Sequence, residues 1–277
     1  MTEYTLAQKR NTRVGRGIAL ASALFLSAPV SAHTSYLKPN FFSLSRGDMI
    51  TLESSFTEDF SSPEVAVVSQ DWHFYYPDGA KGTYDKVVEL KQVSVLEQKL
   101  SQDGTYRFST GERLGRKGRM YQMPDGELKA LFNEKREELP KPEGARVVST
   151  QTATVADVYV TKGAPSANVL QTAIGRLRIE PVTHPSEIFL GDGFSFRVTF
   201  DGADLKGQEM VLSRDGSIYA DDKGEHTFKA STDGVTTLRF DRPGMYLLMT
   251  RHRAAAPEGA ETDIRSYTTS LTFEVMP

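Results

Sequence analysis

With five histidines and no cysteine, this 277-residue chain can offer a metal ion only nitrogen and oxygen donors. His33 stands out by position, because it follows Ala28-Pro29-Val30-Ser31-Ala32, in which Val30 and Ala32 occupy the small-residue positions read by a signal peptidase. Cleavage after Ala32 would make His33 the first residue and give it a free α-amino group beside its imidazole. Those two nitrogens can close on one ion as a chelate, and an amine with a reference pKa of about 8 gives up its proton readily to a metal. An internal histidine lacks the second nitrogen.

The other histidines divide by context. In Asp71-Trp72-His73-Phe74-Tyr75, a strand puts His73 on one face with Asp71 and Tyr75 while Trp72 and Phe74 point the other way. Asp71 and His73 are therefore candidate ligands, the competing reading being a hydrogen-bonded strand histidine. His252 shares a strand face with Tyr246, Leu248 and Thr250 at a strand end, and is a third candidate. His184, before Pro185 in a turn, and His226, in the polar run Lys223-Gly224-Glu225-His226, read as surface residues. Imidazole and amine nitrogens suit Ni, Co, Cu and Zn, with copper favoured by intrinsic affinity. No His-x-x-x-His or His-x-Glu spacing, Gly-x-Ser-x-Gly elbow, P-loop or dinucleotide fingerprint is present, so an enzyme is not expected.

These residues need a scaffold outside the cytoplasm. Lys9, Arg10, Arg13 and Arg16 precede an apolar stretch from Gly17 to Ala28, too short for the roughly 20 residues that span a bilayer. Residues 1-32 are expected to be a removable signal peptide, and the mature protein to be periplasmic with no membrane span. The chain carries 33 basic and 36 acidic residues. Removal of four basic residues and Glu3 with the leader takes the net charge from −3 to about −6, which argues against nucleic acid as a partner.

The remaining chain reads as mainly β, with two immunoglobulin-like antiparallel sandwiches and one short helix inserted late in the first. Residues 33-163 form the N-terminal β-rich domain, with a loop and helix insertion at 111-147. Its strand signals include the alternating Met49 to Phe56, Trp72 to Tyr76 ending at Pro77-Asp78-Gly79, and Gly104-Thr105-Tyr106-Arg107-Phe108-Ser109. In the insertion a basic loop (Arg113, Arg116, Lys117, Arg119) precedes Leu128, Leu131, Phe132 and Leu139, whose spacing predicts a helix over 127-139. The loop could bind an anion, although solvated charge is the plainer reading. Residues 164-176 read as a linker and 177-277 as the C-terminal sandwich, with strands at Phe194 to Phe200, Glu209 to Ser213, Val235 to Phe240, Met245 to His252 and Ser266 to Val275. Gly-x-Tyr recurs at Gly104 and Gly244, a hint that the halves share an architecture.

The order and spacing of several pieces carry a family resemblance. They are His33, Tyr36-Leu37 and Pro39; Leu44-x-x-Gly47; Gly175-x-Leu177-x-Ile179-x-Pro181; Pro185 with Gly191; Thr232-Asp233-Gly234; Gly244-x-Tyr246-Leu247-Leu248; His252; and Tyr267-x-x-x-Leu271-Thr272-Phe273-Glu274-Val275. In these the chain resembles the DUF4198 family, described as the periplasmic component of a cobalt/nickel (ABC-type) uptake system. The resemblance implies an amino-terminal histidine at a metal site, carrying over His33 and, by position, His252. It also implies nickel or cobalt as the ion, and an inner-membrane metal transporter or an outer-membrane receptor as partner. A metal-independent adhesion or carrier module, binding carbohydrate or an outer-membrane receptor through Tyr75, Tyr76 and Tyr121, is the alternative. Amino-terminal sequencing of the exported protein is expected to begin at His33; any other first residue would remove the chelate.

Overall fold

The computed structural model describes residues 2-5 (backbone), 34-133, 135-216, 219 and 225-277. His33 and all of the expected leader except Thr2–Thr5 lie outside them. The first strands are β1 (Thr2–Thr5), β2 (Thr34–Pro39), β3 (Ser43–Leu44), β4 (Met49–Thr57), β5 (Val65–Ala66), β6 (His73–Tyr75) and β7 (Lys81–Gly82). There follow β8 (Lys86–Glu89), β9 (Ser94–Lys99), β10 (Gly104–Ser109), β11 (Arg113–Gln122), β12 (Leu128–Ala130) and the 17-residue β13 (Arg146–Lys162). The second half holds β14 (Leu177–Pro181), β15 (Phe194–Phe200), β16 (Ala203–Asp204), β17 (Glu209–Arg214), β18 (Glu225–Lys229), β19 (Thr236–Arg239), β20 (Gly244–Ala255) and β21 (Ile264–Val275).

One sheet passes through both halves, in the order β18-β17-β20-β21-β13-β10-β6-β7, with β11, β12 and β3 attached beside β13. Its centre is the parallel pairing of β13 with β21 from Thr150↔Ile264 to Val158↔Thr272. Because side chains alternate along a strand, β13 presents Ala156, Val158 and Val160 to one face and Val155, Asp157 and Tyr159 to the other. The first face packs with Phe74, Tyr106 and Phe108 against Leu37, Ile50, Leu52 and Leu96 of the sheet β2-β4-β9-β8. The second face, through Leu271, Phe273, Leu248 and Leu212, packs against Phe194, Phe196, Ile179 and Leu238 of the sheet β14-β15-β19. The protein is thus mainly β, with two sandwiches built on opposite faces of a common sheet. In the second, β14-β15-β19 faces β18-β17-β20-β21, the arrangement of an immunoglobulin-like domain. β1 lies parallel to β19 at the outer edge of its sheet.

Both Gly-x-Tyr pieces form tyrosine corners. The Tyr106 hydroxyl donates to the Gln102 carbonyl (2.9 Å) and that of Tyr246 to the Arg242 carbonyl (2.8 Å), each four residues back. Gly104 and Gly244 open their strands at φ +129° and +136°, a region open to glycine at no steric cost. His184 is no bystander on the surface. Its Nδ1 meets Ser186 Oγ at 2.7 Å, and its Nε2 lies 3.1 Å from both Thr105 Oγ1 and the Ser166 carbonyl, joining the first half, the connector and the second half.

The helix expected over 127-139 is a correction. Pro124-Asp125-Gly126 closes a turn, with Gly126 at φ +90° and Met123 N–H donating to the Glu127 carbonyl (2.8 Å), and β12 then pairs back along β11 as Gln122↔Leu128 to Met120↔Ala130. A second turn at Asn133, with Arg136 at φ +63°, returns Leu139 N–H to the Leu131 carbonyl (2.8 Å). An isolated window of this length needs tertiary packing to stay helical, and the hairpin instead buries Leu131 with Tyr121 and Ala145. The described residues hold no α-helix, and the connector carries a 3₁₀ turn, Asn168–Gln171.

Where β14-β15-β19 ends, the second face of the sheet still carries a buried polar row. Arg107 Nη2 pairs with Asp157 Oδ2 at 2.5 Å, and Arg107 Nη1 donates to the Thr172 carbonyl of the connector. Asp157 holds the Arg107 guanidinium above its ordinary pKa although burial opposes it, and burial pushes Tyr159 up to about 12. Removing one partner of a buried pair leaves the other uncompensated, at a cost of about 3–5 kcal/mol. Asp157→Ala is therefore expected to lower unfolding stability by that amount in urea titrations, and a loss below about 1 kcal/mol would show that the seam does not rely on this pair.

Candidate functional site

The Asp71–His73 pair sits at the start of β6, beyond the last row of the aromatic core. Phe74 points into that core against Phe108 (ring centroids 5.4 Å apart), which turns His73 to the second face of the sheet. There His73 is 3% exposed, its ring edge-on to Tyr75 at 5.4 Å. Nδ1 lies 2.6 Å from the Asp71 carbonyl and 3.2 Å from Asp71 Oδ1. A carbonyl can only accept, so Nδ1 carries the proton and Nε2 is left as a buried acceptor without a partner among the described residues. A histidine so oriented by a carbonyl has the tautomer that metal-ligating histidines use. Gly111 allows this geometry, because at φ +65° it lies so close under Asp71 that a Cβ would meet the Asp71 carbonyl oxygen at 2.3 Å.

Asp71 itself is partly committed. Its side chain is 49% exposed, and Oδ1 accepts from Lys81 Nζ at 3.3 Å, a cation already standing where a metal would compete. The pair supplies at most two donors, and no group of three or more His, Asp or Glu residues that could hold a metal occurs among the described residues.

His252 lies elsewhere. It shares the second face with His73, but β6, β10, β13, β21 and β20 separate them by four strand spacings, about 19 Å at ~4.8 Å each. Its ring packs on Phe200 (4.7 Å between centroids), whose other neighbours are Tyr267 and the Arg176 guanidinium. Arg176 donates to Tyr267 Oη (2.7 Å) and, through Nε, to Asp201 Oδ1 (2.6 Å). Burial, and then the Arg176 charge, lower the His252 pKa, with Asp201 acting in the opposite sense. This surrounding keeps the ring neutral but sets a fixed positive charge beside it. The structure thus brings His73 to Asp71, keeps His252 apart from both, and leaves His33 outside the described residues.

Reading by residue type missed the row Arg107, Asp157 and Tyr159. Its signal was a charge inside each of two strand runs otherwise apolar or hydroxylic, Thr105 to Ser109 and Val155 to Val160. The Asp157 Oδ1, Arg107 Nε and Tyr159 Oη atoms have no partner among the described residues, and the row extends the polar character of the His73 position along the seam.

The family model for "Domain of unknown function (DUF4198)" matches residues 30–254. The chain belongs to the DUF4198 family. A search of curated proteins finds no significant match for it. Among solved structures, this DUF4198 chain is similar to a DUF4785 family protein from Legionella pneumophila at 12% identity and a TM-score of 0.25, over 77% of this chain and 50% of that one. It therefore spans about half the length of the Legionella chain. It is also similar to the D0-D1 domain of intimin (11% identity, TM-score 0.20, 87% of this chain and 97% of that one). A third is trypsin-activated alpha-2-macroglobulin from Escherichia coli (10% identity, TM-score 0.21, 88% of this chain and 16% of that one). Similarity at this level carries no functional argument. Among the described residues, no helix is long and apolar enough to cross a membrane.

The His252 environment predicts a pH dependence. A histidine whose pKa is lower folded than unfolded binds more protons unfolded, so stability falls as pH drops through the interval below the unfolded value of about 6.5. Asp201 and Asp204, held below the ordinary carboxylate value by hydrogen bonds from Arg176 and Arg197, lose their contribution in a separate window, below about 4. Urea midpoints are expected to fall between pH 7.5 and 5.5 and to fall less in His252→Gln; identical pH profiles would remove His252 as the cause.

Proposed function

We propose that this protein is an exported carrier that captures a divalent transition metal ion, nickel or cobalt, through an amino-terminal His33, and passes it to a membrane uptake system. It acts in the periplasm as a binding protein and not as an enzyme. The observation that carries the reading is the start of β2 at Thr34, the residue after His33. β2 pairs with β4 from Thr34↔Thr57 to Pro39↔Leu52, and the Ser35 carbonyl accepts from Ser270 Oγ at 2.6 Å. A terminus made by cleavage after Ala32 would therefore leave directly from a two-sided strand, and its amine and imidazole would have little chain to order on binding.

His33 would supply the two nitrogens of the chelate. The described residue best placed to add a further donor is the half-exposed Asp71; His73 Nε2, the other candidate, is buried on the face of the sheet opposite the one β2 packs on. His252 is the weaker candidate, since the Arg176 guanidinium opposes a cation there. The choice of nickel or cobalt rests on the resemblance read from the sequence alone, and copper and zinc suit the same nitrogens.

The test is a titration of the mature protein with Ni(II), Co(II) and Cu(II) alongside a form carrying one alanine ahead of His33. The extended form is expected to bind at least about tenfold more weakly, a difference of ~1.4 kcal/mol. Binding should also weaken as pH falls and the amine keeps its proton. Equal affinity in the two forms would end the chelate model. A parallel loss in His73→Ala, with unchanged folding, would assign His73 as the completing ligand.

A further inference from the structure

The face of the shared sheet that packs on β2-β4-β9-β8 continues past that sheet's edge, and there it gathers arginines. By register, Arg113, Thr154, Thr268 and Arg251 form one row across β11, β13, β21 and β20. Thr152, Ser266 and Arg253 form the next, and Arg146 with Gln122 closes the same face at the far end of β13. Between Arg253 and Arg146 lies a groove of about 430 Å³ lined by Gln122, Leu128, Arg146, Arg253, Ala255 and Ile264, among others.

None of these four arginines pairs with a carboxylate among the described residues. Arg113 Nε donates to the Val68 carbonyl (2.8 Å), Arg251 Nε to Thr268 Oγ1 (3.2 Å), and Arg146 Nε and Nη2 to the Gln122 amide oxygen (2.8 and 2.6 Å); Arg253 has no partner there. Elsewhere the same molecule pairs Arg107, Arg176, Arg178 and Arg197 with Asp157, Asp201, Glu180 and Asp204. In a chain with more acidic than basic residues, four arginines on one face with no ion-paired carboxylate among the described residues are a local exception. Two acids also line the groove: Asp263 accepts from Ser149 N–H (2.8 Å) and Oγ (2.6 Å), which with a smaller effect of the Arg146 charge hold its carboxyl below the ordinary value, and Glu127 lies 3.5 Å from Lys129, so the arginines Arg146, Arg251 and Arg253 with Lys129 outnumber the acids there. Burial and then the charge of Arg253 lower the Arg251 pKa, as burial and then Arg116 lower that of Arg113, so the cations are crowded enough to feel one another.

We infer that this groove binds a small organic polycarboxylate, with Arg146 and Arg253 each gripping a carboxylate and the carbon skeleton lying on Leu128, Ala255 and Ile264. Guanidinium matches carboxylate as a planar fork, which gives two-point contacts at each end. The apolar floor between the two arginines selects an ion whose charges are joined by carbon over an inorganic polyanion of equal charge. Arg251 and Arg113 add field from the neighbouring row. The site requires no metal and stands independently of the His33 reading.

The experiment is isothermal titration of the full chain with tricarballylate, in low-salt buffer passed over a chelating resin so that metal plays no part. Saturable binding is expected, with acetate inert, pyrophosphate weaker, and affinity falling as salt screens the charges. Arg146→Gln and Arg253→Gln should each weaken binding tenfold or more, while Arg46→Gln, at the opposite end of the fold, should not. Both groove residues are exposed, so unchanged thermal midpoints will show that the variants fold. Absence of binding at millimolar tricarballylate, retention of affinity in the Arg146→Gln/Arg253→Gln double variant, or pyrophosphate binding as tightly as tricarballylate would each overturn the assignment.

Discussion

The constraint on which the rest depends is that β13 is buried on both faces. A strand covered on one side alternates apolar with polar residues, but β13 must satisfy two cores at once. Ala156, Val158 and Val160 fill the first, and Tyr159 with Ala153 joins the second. Since β21 runs parallel to β13 over nine register pairs, the last strand of the chain locks the sheet together, and the halves share backbone hydrogen bonds as well as side-chain contacts. Relative motion of two domains on a flexible connector would break those pairs, so the sheet fixes the positions of every candidate ligand on it. His184 then adds a polar clasp where the connector passes.

Covering opposite faces of one sheet leaves each sandwich with a bare reverse side next to its neighbour, and the polar chemistry of the molecule collects there. On one reverse side lie His73, Arg107, Asp157 and Tyr159, roofed by the connector through Thr172. On the other lie Arg113 and Arg251, half-buried, and Arg253, exposed, beyond the edge of the β2-β4-β9-β8 sheet. The first set is dry, and its charges neutralise one another. The second borders a groove and carries more arginine than acid, which is the condition under which side chains recruit an anionic ligand in place of an internal partner.

Much of this was legible in the residues, and the failures have physical causes. The two Gly-x-Tyr pieces announced tyrosine corners because a strand opening with a positive φ and a hydroxyl reaching four residues back are local events. The shared face of Phe194, Phe196 and Phe200 followed from period-two alternation in the same way. The helix over 127-139 failed because Leu128, Leu131, Phe132 and Leu139 fit a helical stripe in a short window, while Gly126 and Asn133 supplied turns that only register along β11 could select. The β13–β21 pairing was invisible, since no local pattern tells a strand which partner over a hundred residues away will run parallel to it. At the site, Asp71 and His73 were legible as one face of one strand. The separation of His252 was not, because it depends on how many strands intervene.

Placing the expected chelate beside the observed electrostatics gives the two readings a common logic. A bare divalent cation is repelled by a face bearing Arg113, Arg251 and Arg253, and drawn by the mild negative charge of the protein as a whole. β2 leaves the sheet on the arginine face, with Phe56, the register partner of Ser35, lying under the Arg113 guanidinium at 5.0 Å. On the proposal that the mature chain begins at His33, an amine and imidazole next to such a face would be hindered from protonating by the neighbouring positive charges, and a neutral donor is what a metal requires. The same charges favour an anion over a bare cation, so under both proposals the arginine face would take the carboxylates and leave the metal to the nitrogens. The arginines would then act as the counterions of the bound carboxylates, whether or not a metal travels with them.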